Sequence, residues 1–173
     1  EKGTTGEKQS ALDQLGKLKD AAADTVIATQ LDKLLAGTLA KELTLELLEA
    51  AAQRTDAAVK GRLAKFEATR KKEDPIGGFR ELLHGGNAEN GRKIFLEKAE
   101  ASCARCHKVG TEGAEVGPEL TEIGAKQQRD YLLESIIAPN ARIAPGFESL
   151  LVVMKNGNTF AGLVKTDNAT DLV

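Results

Sequence analysis

The chain has 173 residues, 41% of them apolar and 29% charged, with a formal net charge of −2 at pH 7. Acidic and basic residues nearly balance in both halves, which argues against a nucleic acid or an anionic lipid surface as partner. No apolar run reaches the ~18 residues that a transmembrane segment requires, and five Phe, one Tyr and no Trp argue against a large aromatic pocket built from protein side chains alone.

Three helices are readable first. "EKQSALDQLGKLKDAAA" sets Leu12, Leu15 and Leu18 on one stripe. "ADTVIATQLDKLLAG" repeats the pattern with Val26, Ile27, Leu31, Leu34 and Leu35, and Gly37 is a natural C-cap. "LTLELLEAAAQRTDAAVKGRLAKFEATRKKE" reads as one longer helix, capped by Thr44 and breakable near Gly61, until Pro75 and Gly77-Gly78 stop it. Successive amphipathic helices with tight turns suggest a helical arm or the last units of a repeat array, with a simple helical bundle domain as the alternative. The abrupt ends "EKGTTGEKQS" and "DNATDLV" suggest a piece of something longer.

"GGFRELLHGG" marks a short helix and a break, and "NAENGRKIFLEKA" the next helix, with Asn87 as its N-cap. After "ASCARCHKVG" comes a Gly-rich loop, "VGTEGAEVGPEL", then an amphipathic helix, "KQQRDYLLESIIAP", stopped by Pro139. The hydrophobic period then changes to two: "ESLLVVMKNGNTFAGLV" predicts a β-hairpin around Asn156-Gly157.

"ASCARCHKVG" holds both cysteines of the chain and one of its two histidines. A redox dithiol needs only CxxC, at a helix N-terminus after a strand; here a helix precedes the motif and His107 is left over. A structural zinc ion needs four ligands, and Cys103, Cys106 and His107 supply at most three. The third reading is a covalently attached haem, whose signature is CxxCH. Cys103 and Cys106 would bind the two vinyl groups, and His107 would be the proximal iron ligand, its Nδ1 held by a backbone carbonyl. Gly117-Pro118 offers a rigid apolar turn against the ring on the His107 side, and Leu120 can pack there too. A covalent haem would also account for the scarcity of aromatic side chains.

With those motifs in place, residues 86–147 resemble a class I cytochrome c: "NGRKIFLEKAEASCARCHKVG…GPEL" is similar to its first helix, haem motif and proline turn, and "DYLLESIIAPNARIAPGF" to its later helix and Pro-Gly turn. Residues 84–166 more closely resemble the haem-binding domain at the C-terminus of large planctomycete and verrucomicrobial proteins, often behind a β-propeller dehydrogenase-like domain and helical repeats. The expectation is therefore a mainly α fold: a helical arm or repeat remnant over residues 1–80, then a cytochrome c-like haem domain over 81–173 with a C-terminal β-hairpin.

The resemblance implies one covalent haem c with a second axial ligand. No methionine follows Pro145-Gly146 closely, and Met154, on a face shared with Leu150 and Val152, is the preferred distal ligand; His84 and an open site are the alternatives. Ile143, Pro145 and Phe147 would line the haem edge, and Lys108, Lys126 and Arg129 would reach a propionate or a partner. One-electron transfer follows, with no enzymatic activity of its own and a redox partner protein or upstream dehydrogenase-like domain as donor. A haem-based small-ligand sensor is the alternative if the distal site is open. CxxCH attachment chemistry implies a periplasmic or extracytoplasmic location.

Overall fold

A computed structural model describes residues 2–173. The chain divides into two compact units, Glu1–Asn87 and Ala88–Val173. Helices dominate, and among the described residues none is long and apolar enough to cross a membrane.

In the first unit, α1 (Thr5–Lys17) starts with a capping box: the Thr4 hydroxyl accepts from the Glu7 amide, and the Glu7 carboxylate accepts from the Thr4 amide at 2.7 Å. The backbone turns extended at Leu18, which therefore leaves the stripe and stays 52% exposed, while Leu12 is buried. Asp20 caps α2 (Ala21–Leu35) by accepting from the Ala22 amide at 2.8 Å, and Gly37 follows it in the left-handed region.

The long third helix read from the sequence is two helices, α3 (Thr44–Ala52) and α4 (Ala57–Glu67). Their break lies at residues 53–56, not at Gly61, which sits inside α4. The reason is Asp56: its carboxylate accepts from the Ala58 and Val59 amides and begins a new helix there. Thr44 is likewise not a cap; it is the first residue of α3 and is buried.

α1 packs mainly on α3, and α2 on α4 and α3, so the helices form two layers around Leu12, Ile27, Leu31, Leu47, Leu48 and Val59. Arg54, in the break, stitches the α1–α2 turn: Nε donates to Asp24 at 2.6 Å, and the guanidinium also donates to the Gly16, Leu18 and Asp20 carbonyls.

The second unit opens with α5 (Ala88–Glu97), followed by a single 3-10 turn at Cys103–Arg105. The two-residue strands β1 (Lys108–Val109) and β2 (Glu112–Gly113) pair antiparallel, and α6 (Ile123–Lys126) and α7 (Arg129–Ile137) follow. β3 (Ser149–Val153) and β4 (Thr159–Leu163) form an antiparallel hairpin in which Leu150 faces Gly162 and Val152 faces Phe160. All the fully buried apolar residues belong to the first unit. From Ala88 to Val173 no residue reaches that burial, and Ile136 is 76% exposed.

Candidate haem site

The site grows from the way the chain leaves α5. The Ala101 and Ser102 amides both donate to the Lys98 carbonyl at 3.1 Å. Ser102 adopts a left-handed conformation (φ 54°), rare for a residue with a Cβ, and its hydroxyl donates to the Ala99 carbonyl. This reversal starts the turn Cys103–Arg105. The Cys106 and His107 amides then donate to the Cys103 carbonyl at 3.2 and 3.0 Å, so one turn of backbone presents both thiols and the imidazole. Neither cysteine is in a disulfide; Cys103 is half-buried and Cys106 exposed.

His107 is held by contacts distant in sequence. Its Nδ1 lies 2.8 Å from the Pro118 carbonyl oxygen. A carbonyl only accepts, so Nδ1 carries the proton and donates, and the Nε2 lone pair is left for a metal. The Gly117 amide donates to Cys106 at 2.7 Å and the Leu120 amide to Lys108 at 2.8 Å, pinning the proline turn beside the motif. Gly117 packs close against the imidazole: a Cβ there would sit 2.9 Å from His107 Cε1. Gly113 is equally confined, because a Cβ would run into the His107 carbonyl oxygen, and its φ of 98° suits glycine.

Two ion pairs fasten this loop. Arg92 on α5 pairs with Glu112 on β2, and Lys108 pairs with Glu115 at 2.5 Å. The Lys108 ammonium holds the Glu115 carboxyl below its ordinary range and is itself raised by it.

The sequence-predicted residues are thus only partly brought together. Cys103, Cys106, His107, Gly117, Pro118 and Leu120 come together as one cradle. Ile143, Pro145 and Phe147 lie on a separate turn, where Phe147 donates to the Ala144 carbonyl at 3.0 Å across Pro145-Gly146, with Gly146 at φ 83°. Arg142 anchors that turn to α7, pairing with Glu134 at 3.0 Å over the Tyr131 ring. Met154 stands at the mouth of the β3–β4 hairpin, 47% exposed, in a groove with Leu150 and Val152 rather than among the residues packed on His107. His84 ends a 3-10 turn of the first unit and lines a cavity there with Lys41, Arg70 and Lys71. Lys126 pairs with Glu122 at 3.0 Å, Lys108 is taken by Glu115, and Arg129 opens α7.

Sequence reasoning missed Gly113 and the Arg92–Glu112 and Lys108–Glu115 pairs. Their only signal was the Gly-rich loop itself, since the partners are set by folding.

The donor set suits a covalently bound haem. Two free thiols and an oriented imidazole share one turn, and the unit around them exposes apolar side chains without a buried core of its own. The zinc reading lacks ligands: among the described residues, no three His, Cys, Asp or Glu side chains are grouped to hold a metal ion.

These features define a c-type haem-binding domain. Residues 88–173 match the family model described as Cytochrome c, so this part of the chain is a cytochrome c-like haem-binding domain. The family implies covalently bound haem c, and Cys103 and Cys106 are the chain's only cysteines. No curated protein matches the chain.

Proposed function

We propose that the second unit binds one haem c through Cys103 and Cys106, with His107 as proximal and Met154 as distal ligand, and transfers single electrons between protein partners. The observation that carries this reading is the His107–Pro118 hydrogen bond, which fixes the tautomer and aims Nε2 away from the proline turn. The haem supplies a reversible one-electron couple. The chain's own residues do the rest. The motif turn anchors the group, Gly117 and Pro118 fix the imidazole plane, and donation from Nδ1 makes the imidazole a stronger donor, favouring the ferric state. With two protein ligands no position is left for substrate, so the domain is an electron carrier rather than an enzyme, and it can serve a larger oxidoreductase.

The helices of the first unit act in this reading as an arm that holds the carrier near its donor, a dehydrogenase-like domain fused or associated upstream. In this reading the domain works outside the cytoplasm, where the chemistry of haem attachment to CxxCH is carried out.

Absorption spectroscopy tests the ligand set. The ferric protein should show the weak far-red band of a thioether-bound haem, and Met154→Ala should abolish it. A wild-type protein without that band, whose ferrous form binds carbon monoxide at once, would overturn Met154 ligation. The half-exposed setting of Met154 is the observation that favours this second outcome, a small-ligand sensor.

A further inference from the structure

The β3–β4 hairpin is apolar on both faces, whereas a hairpin covering a core on one side alternates apolar with polar. One face presents Leu150, Val152 and Met154, with Phe160 across from Val152; the other presents Leu151 and Val153, 68% and 65% exposed. A groove of about 370 Å³ runs along the first face and takes in Ala161, Leu163 and Val164 along the β4 edge. The chain beyond β4 closes its side: the Val173 amide donates to the Thr166 carbonyl at 2.9 Å, Asp167 bridges to Leu172, and both Leu172 and Val173 line the groove.

No side-chain nitrogen or oxygen lines it, and the Met154 thioether is its single side-chain heteroatom. Two other cavities of this unit carry charges, one beside Glu119, Glu122 and Lys126, the other beside Glu97, Lys98 and Arg105. A group tethered at Cys103 and Cys106 has one face claimed by the His107 side. Its opposite face needs an apolar cover, in a unit that has no buried side chain to spare.

The geometry points to the grooved face of the hairpin as the distal cover of the haem, with Phe160, Leu172 and Val173 as its walls. This rests on the haem reading above and goes beyond Met154, assigning three residues that exclude water from the distal side and hold the thioether in place. Leu151 and Val153, on the opposite face, take no part.

The test compares the two faces in the haem-loaded full chain. Phe160→Ala and the pair Leu172→Ala with Val173→Ala are set against the pair Leu151→Ala with Val153→Ala. Imidazole binding to the ferric form and the midpoint potential are measured, with far-UV circular dichroism as the check on folding. Grooved-face variants should bind imidazole about tenfold faster, which corresponds to an activation barrier lower by about 1.4 kcal/mol. Their potential should fall, because water reaching the iron favours the ferric state. Opposite-face variants should match wild type, and Phe160→Leu, which keeps the apolar bulk, should stay close to it. Equal effects from both faces, or none from the grooved one, overturn the assignment. A wild-type protein lacking the thioether band defeats Met154 ligation alone; the difference between the faces still decides which one is the cover.

Discussion

His107 depends on atoms ten or more residues away. The Pro118 carbonyl sets its tautomer, and Gly117 sets its plane because nothing larger fits against Cε1. Gly117→Ala should therefore tilt the ring and weaken the Nδ1 bond. A weaker bond makes the imidazole a poorer donor to ferric iron, so the midpoint potential should rise, while both thioether links persist. Redox titration beside a mass measurement of the attached haem checks both halves of this expectation; an unchanged potential would separate the glycine from ligand tuning.

A second residue-scale prediction concerns Arg54 and Asp24. The Arg54 hydrogen bond, opposed by partial desolvation, holds the Asp24 carboxyl below its ordinary value. A depressed carboxylate contributes stability that is complete above the ordinary carboxylate range and is lost as pH falls through its lower folded value. Arg54→Ala also removes the guanidinium donor from the Gly16 and Leu18 carbonyls, while the Asp20 carbonyl keeps the Ala23 amide. It should lower the melting temperature of the first unit by several degrees at neutral pH and flatten its acid dependence. The exposed pair Lys17–Asp13 is the comparison: Lys17→Ala should change little.

At the scale of elements, the break between α3 and α4 rests on one cap. Asp56 satisfies two amides at the start of α4, so Asp56→Ala should cost about 1 kcal/mol of stability in urea titrations. A Gly61→Ala change, inside the helix, should stabilise by about as much. If the helix truly broke at Gly61, the alanine would be the harmful substitution. The hairpin shows the same kind of local control. Gly157, at φ 88°, donates to the Met154 carbonyl at 2.9 Å, and Met154 donates to the Asn158 carbonyl at 2.8 Å, so a three-residue turn with a glycine bulge sets the register. That register brings Phe160 onto the face of Met154.

At the scale of the whole molecule, the two units differ in what can hold them. The first buries Ile27, Leu31, Leu47 and Val59 completely. The second buries no side chain fully, so apolar burial within the protein alone contributes little to its stability. A chain with Cys103→Ser and Cys106→Ser should therefore keep a cooperative calorimetric transition for residues 1–87 and show rapid amide hydrogen exchange throughout 88–173. Slow exchange in α5 and α7 of that variant would mean the unit folds without its prosthetic group. Ile27→Ala, by contrast, should destabilise the first unit by about 2–5 kcal/mol and leave haem attachment intact.

The chemistry of the motif was legible because it is local: one turn of chain fixes how Cys103, Cys106 and His107 face the same group, and spacing alone specifies that turn. The helix stripes of α1 and α2, the Gly37 cap and the Asn156-Gly157 turn are local too, and could be read for the same reason. What the tertiary structure decided is long-range. Of the break within residues 43–73, the Asp56 cap is local, hidden in the sequence by an unbroken apolar stripe; Arg54 reaching across to the α1–α2 turn is a contact that no periodicity encodes. The confinement of Gly113, the Arg92–Glu112 clamp and the grooved side of a hairpin apolar on both faces arise only when segments distant in sequence meet. Local backbone geometry is written in neighbouring residues; which surfaces close on one another is settled by packing, and packing belongs to the whole chain.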